Sequence, residues 1–247
     1  MASNFRNKRI RVYVGPSLER RHIRKYLPGA QIHGPIKRLD LLRAARERVG
    51  IAVIVDGLFD QSLAVTAGEI SDALCIGMAI FGSSSMGAMR AAEAHTLGMV
   101  GYGAIFEHIM EAEYFKDDRL GQLLFNCETG TWKAMAHTYM DVFFNLKLLR
   151  RQGRISESEL GLILNQLDKI GYTDRSYEAL RDALIRRGAA HHRCLHAAEL
   201  AFKKMGSQKT RDAIGLLKLV GKYATEVSKR NKKIMKNSRA MGHECLK

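Results

Sequence analysis

LCIGMAIFGSSSMGAMRAAE, Leu74 to Glu93, is the stretch on which the fold turns. Its opening residues are apolar or glycine, so Leu74 to Gly82 reads as a strand buried on both faces. Gly82-Ser83-Ser84-Ser85-Met86-Gly87 then punctuates the chain, its glycines allowing a tight turn and close approach to a ligand. A helix follows, with Gly87, Ala88, Ala91 and Ala92 suited to close packing on a sheet. It runs to about Leu97 and stops at Gly98, a usual C-cap residue. Arg90 and Glu93, three apart, share a face of that helix and can pair.

Outward toward the N-terminus, strand and helix signals alternate. Arg9 to Val14 reads as a strand ended by Gly15-Pro16-Ser17, and a basic helical stretch follows. Ala30 to His33 reads as a short strand ended by Gly34-Pro35, and Leu39 to Arg48 has helical spacing. Ile51 to Asp56 is a continuous β-branched run broken at Asp56-Gly57, and Ser71 to Leu74 lies in a further helical segment. Such alternation predicts a parallel sheet with right-handed crossovers. Ligands bind beyond the carboxyl ends of such strands, where the turns at Gly15 to Ser17, Asp56-Gly57 and Gly82 to Gly87 would gather.

Outward toward the C-terminus, the pattern from about Thr129 is helical: Trp132 to Arg151, Glu157 to Lys169, Tyr177 to Arg187, Ala197 to Lys204 and Thr210 to Lys229. Ser156 and Glu159 form a capping-box pattern, and Gly171 and Gly206 suit helix stops. The expected fold is α/β, a parallel-sheet N-terminal domain over 8–118 with an all-helical C-terminal extension over 119–235. A basic tail, 236–247, reads as frayed or dependent on a partner.

An apolar fraction of 46% in 247 residues excludes a disordered chain. The longest apolar run, Ala73 to Phe81, is about half of what a membrane-spanning helix needs. The opening residues lack the apolar centre of a secretory signal, so a cytoplasmic location is expected. Cys75, Cys127, Cys194 and Cys245 are widely spaced and read as free thiols, Cys75 as a small core residue. A net charge of +15 favours anionic partners, with basic clusters at the start and from Lys229 to Arg239. Only 7% of residues are aromatic and no RNA-binding signature appears, which argues against nucleic acid.

The candidate chemistry centres on the serine turn. Its serines can cap the helix, or its first-turn amides and hydroxyls can hold an anion or oxyanion. Asp56 is either a turn-forming Asp-Gly or a general base or ligand anchor. Ser17 is either a local turn former or a second donor, and Glu69 a first-turn carboxylate favoured by the helix dipole. In HHRCLH, His191 to His196, His192 and His196 share a helix face while His191 and Cys194 point away, so no metal site is expected. No GxSxG elbow, P-loop or dinucleotide fingerprint is present, and Gly101-Tyr102-Gly103 alone is weak.

VGPSL (Val14 to Leu18), DGLF (Asp56 to Phe59), GEI (Gly68 to Ile70), FGSSSMGAMRAAE (Phe81 to Glu93), LGMVGYGAIF (Leu97 to Phe106) and Asp117-Asp118 occur in that order. In these elements the first half of the chain resembles the TfuA-like family, proteins encoded beside YcaO enzymes that install thioamides in peptides. Thr66-Ala67 and Phe125-Asn126-Cys127 stand where relatives often carry a histidine, so no histidine role is carried over. The resemblance implies a YcaO-type partner that uses ATP and Mg to activate a bond of a precursor peptide. It also implies sulfur drawn from a thiocarboxylated, ubiquitin-like carrier protein, with no cofactor of the chain's own. In that setting Asp56 or Glu93 would position or deprotonate the attacking water or a serine. Ser84 and Ser85, with the Met86 and Gly87 amides, would hold an oxyanion, and Arg90 would orient a carboxylate. Gly15, Ser17, Gly57 and Gly82 would complete the binding surface. A non-catalytic module docking carrier, peptide and YcaO enzyme together is the alternative.

Overall fold

Five short strands run parallel in the computed structural model, which describes residues 9–59, 63–122, 124–127, 132–188 and 192–244. They are β1 (Arg9–Tyr13), β2 (Gln31–His33), β3 (Val49–Ile54), β4 (Ala79–Ser83) and β5 (Val100–Tyr102), ordered β2-β1-β3-β4-β5. The chain leaves β1 in one direction to form β2 and in the other to form β3. This reversal creates a topological switch point, where crossovers diverge and leave a crevice. Ile51, Ala52, Val53 and Ile54 of β3 are all buried, as a central parallel strand requires.

The sheet is covered on both faces. Helices α2 (Asp40–Arg46), α3 (Ala67–Cys75) and α4 (Met86–Ala94) pack on one face through Leu41, Ala44, Ile70, Ala73, Met89 and Ala91. The other face takes α1 (Arg20–Tyr26) and the first half of the long α10 (Gln208–Glu244). There Ala213, Leu216, Leu217 and Val220 meet Val12, Val53, Val55 and Phe81. Between these elements lie α5 (Ala104–Glu111), α6 (Tyr139–Arg151), α7 (Glu157–Leu167), α8 (Tyr177–Arg186) and α9 (His192–Glu199). Their apolar faces join the cluster under α2 to α4, so one core runs from the sheet into the helical half.

Three local expectations are corrected. The apolar run from Leu74 is not all strand: α3 continues through Leu74 and Cys75, and Gly77, at φ 85°, turns the chain before β4 begins at Ala79. Cys75 is therefore exposed on the end of a helix, and the buried thiol among the described residues is Cys194. The helix expected from Trp132 begins at Tyr139, where Thr138 caps it through the Asp141 amide. Residues Trp132–Ala134 instead form β7, paired antiparallel with β6 (Leu124–Asn126), so the helical half carries one hairpin. The expected tail falls on the last turns of α10. Side chains beyond Arg230, and residues 245–247, lie outside those described.

Capping explains several boundaries. Thr66 and Glu69 form a reciprocal box at α3, and Ser156 and Glu159 do so at α7. Glu69 does more than favour a dipole, because its second oxygen accepts from the Leu39 amide at 2.6 Å. Helix α5 starts after Gly103, which has no side chain to cap it. Asp212 of α10 supplies the cap instead, accepting from the Ile105 amide at 2.9 Å. Burial pushes the Asp212 carboxyl above its usual range.

His108 on α5 lies 4.8 Å from the Phe143 ring. Burial first, then Lys147 and Arg119, hold its imidazole below the ordinary value. The unfolded chain therefore takes up this proton first as pH falls through about 6.5. Stability contributed here should drop from that pH down to the depressed folded value and level off below it. Urea midpoints measured from pH 7 to pH 5 should fall less steeply in His108→Gln than in the unaltered protein. Equal slopes would show that His108 carries none of this linkage.

Candidate functional site

The crevice lies beyond the carboxyl ends of β1 and β3. Asp56, just past β3, is buried and reaches across to the loop after β1. Its Oδ2 accepts from the amides of Gly15 at 2.7 Å and Ser17 at 3.1 Å, and its Oδ1 accepts from the Ser17 hydroxyl at 2.5 Å. Asp56 is thus the anchor of the neighbouring loop, which goes beyond an Asp-Gly turn. Gly15 must be glycine for space, since a Cβ there would stand 2.8 Å from Pro35 Cγ. A Cβ at Gly57 would stand 2.6 Å from Met86 Cγ, so the Met86 side chain is packing material beneath the turn.

The serine turn is tighter than its sequence suggests. A Cβ at Gly82 would lie 2.1 Å from the Gly87 carbonyl oxygen, and one at Gly87 would lie 1.9 Å from that of Ile54. Helix α4 therefore sits directly on strand backbone. Ser84, between the glycines, has φ 75°, a left-handed conformation that costs a non-glycine residue about 1–3 kcal/mol. None of the expected serine capping occurs: Ser85 holds the N-cap position without a side-chain bond to the helix. The hydroxyls of Ser83 and Ser84 are buried without a partner among the described residues. The Ser85 and Gly87 amides each donate to Val55 O at 3.3 Å, so the Gly87 amide is spent on the sheet. A serine at positive φ between strand and helix has the form of a nucleophile elbow. The GxSxG pattern misses it because Met86 occupies the second glycine position and Gly87 makes the close approach.

Asp56, Gly57 and Ser85 line a crevice of about 10 Å³ together with Phe59, Leu120, Gln122, Leu124 and Lys209. Ser17 joins through its bonds to Asp56. Arg90 and Glu93 pair with each other at 2.5 Å, as their spacing predicts, and are not among the lining residues. On the other side of the β1 loop a cavity of about 240 Å³ is lined by Gly15, Pro16, Arg20, Gly34 and Trp132 of the hairpin.

Lys209 and Gln122 went unnoticed in the sequence. Lys209 belongs to the first turn of α10 and is buried, its Nζ donating to Gln122 Oε1 at 3.0 Å and lying 4.0 Å from Asp56 Oδ1. Its backbone is pinned as well: the Lys209 amide donates to Asp141 at 3.0 Å, and Thr210 Oγ1 donates to Ser17 O at 2.8 Å. The helical half thus delivers a cation into the sheet's crevice. One signal was available, since Lys209, Ala213, Leu216 and Val220 share the apolar stripe of α10, where a lysine is out of place.

Among the described residues no group of three His, Cys, Asp or Glu is placed to hold a metal. The His192 and His196 rings stack at 5.9 Å, Cys194 is buried, and His191 lies outside the described residues. No described helix is long and apolar enough to cross a membrane.

No curated protein matches the chain. A family model described as TfuA-like protein matches residues 56–176. The matched span opens on Asp56 and contains the serine turn and Gln122, while Ser17 and Lys209 lie outside it. With the crevice-forming Asp56 and the whole of the 82–87 turn inside that match, residues 56–176 of the chain are similar to the TfuA-like family.

Proposed function

We propose that the chain is an accessory protein of a YcaO enzyme in peptide thioamidation, releasing sulfur from a thiocarboxylated, ubiquitin-like carrier. The observation that carries this reading is the strained serine turn with unspent hydroxyls, set at the switch point beside a buried ammonium. Strain and unpaired buried donors both oppose folding, and such features concentrate where a ligand uses them. In the proposed reaction water attacks the thiocarboxylate carbon, the C–S bond breaks, and RCOS⁻ with H₂O gives RCOO⁻, HS⁻ and H⁺. Ser85 and Lys209 donate to the oxyanion that forms on the way, with the unspent Ser84 hydroxyl as a further donor. Asp56 fixes the β1 loop and balances the ammonium. The chain needs no cofactor of its own in this scheme. ATP and Mg serve the YcaO partner, which activates the precursor peptide before sulfur enters.

Docking without catalysis is the second reading, favoured by the net charge of +15. Ser84→Ala and Ser85→Ala separate the two. Removing one oxyanion donor typically slows a reaction by about a hundredfold to a thousandfold, so Ser85→Ala should slow sulfide release by that order. Ser84→Ala deletes a buried unpaired hydroxyl, so its melting temperature should hold or rise while release slows. Full sulfide release by both folded variants, with carrier binding intact, would leave the docking module as the account.

A further inference from the structure

We infer that Lys209, Ser85 and the N-terminus of α4 form a subsite for one anionic atom, the charged end of a carboxylate-type group. An ammonium has three N–H donors. Among the described residues one goes to Gln122 Oε1 at 3.0 Å, and Asp56 Oδ1 at 4.0 Å is beyond hydrogen-bond reach. Both oxygens of Asp56 are already engaged by Gly15 and Ser17. A buried cation with donors to spare is therefore turned toward a crevice of about 10 Å³, room for about one water-sized atom. Ser85 lines the same space with a side chain that does not cap its helix, and the positive end of α4 begins beside it. Phe59, Leu120 and Leu124 make the rest of the lining apolar, which disfavours a hydrated free ion. Gln122 Oε1 occupies the acceptor position that the ligand atom takes over, while Gln122 Nε2 is held by Ala136 O at 2.5 Å.

This deepens the proposed function, in which the charged end is a thiocarboxylate, and it adds Gln122 to that site as the internal competitor for Lys209. The test uses thioacetate, with acetate as a parallel arm, titrated into the full-length protein and followed by NMR. Saturable binding is expected, and Lys209→Met should weaken it about tenfold to a hundredfold, the loss expected for a hydrogen bond to a charged group. Gln122→Ala removes the internal competitor and should tighten binding, an effect that a purely structural lysine would not produce. It also keeps the test decisive if Lys209→Met fails to fold. Absence of saturable binding of either anion, equal binding by folded Lys209→Met, or unchanged or weaker binding by Gln122→Ala would each overturn the subsite. Thioacetate binding with these responses, but without sulfide release from a thiocarboxylated carrier, would uphold the subsite and remove the hydrolytic function instead.

Discussion

Gly87→Ala should abolish the native fold or lower its melting temperature by more than about 6 °C. The added Cβ would stand 1.9 Å from Ile54 O and 2.7 Å from Ile54 C, both backbone atoms of the central strand. Overpacking against side chains typically costs about 1–3 kcal/mol, because side chains can move aside. A strand held by neighbours on both edges has no such freedom, so α4 would have to lift, loosening Ala88, Met89 and Ala91 from the core. A cost of at least about 3 kcal/mol follows, and for a chain of this size each kcal/mol is worth about 2–4 °C. A circular dichroism melt measures it directly. A variant melting with the unaltered protein would show that α4 does not rest on β3 backbone.

Asp56→Ala should be the most damaging substitution in the crevice. It orphans two amides and one hydroxyl of the β1 loop and strips a buried lysine of its nearest carboxylate. Removing one partner of a buried pair typically costs about 3–5 kcal/mol. The 4.0 Å separation means that much of the loss should come from the hydrogen bonds. Asp56→Asn keeps one accepting oxygen and should lose less. Adding Lys209→Met to Asp56→Ala should recover part of the loss, since it removes the unbalanced charge, and a double-mutant cycle reads that recovery. Urea denaturation showing less than about 1 kcal/mol lost in Asp56→Ala would refute the anchoring role.

The two deeply buried strands and the turns that follow them were legible because their patterns are local. The apolar run at Ile51 to Val55, rich in β-branched residues, admits few readings but a central strand, and glycines mark both ends of the serine turn. Local pattern fails where two elements share one apolar run. Leu74 and Cys75 close a helix and Ala79 opens a strand, with only Gly77 between them to mark the change. The candidate site was half legible for a different reason. Asp56 and Ser17 meet because β1 and β3 are neighbours, and strand order is a tertiary fact. Ser84 stands in a serine-rich turn that the sequence shows, yet its left-handed backbone angle is one that no composition reveals. Lys209 needed the stripe of α10 to be matched with the face of a sheet formed early in the chain.

That late helix also orders events during synthesis. All five strands are complete by Tyr102, but Val12, Val53, Val55 and Phe81 gain the cover of Ala213 to Val220 only when those residues have left the ribosome. Until then a nascent chain would present a sheet face that only α1 covers. The closing contact, Thr210 to Ser17, joins residues 193 positions apart. Long-range closure of this kind is slow, and the waiting species is the one prone to aggregate. Chains stopped short of α10 should therefore be poor folders even with the entire family-matched span in place, and yields in the cell should depend on residues that never touch the serine turn.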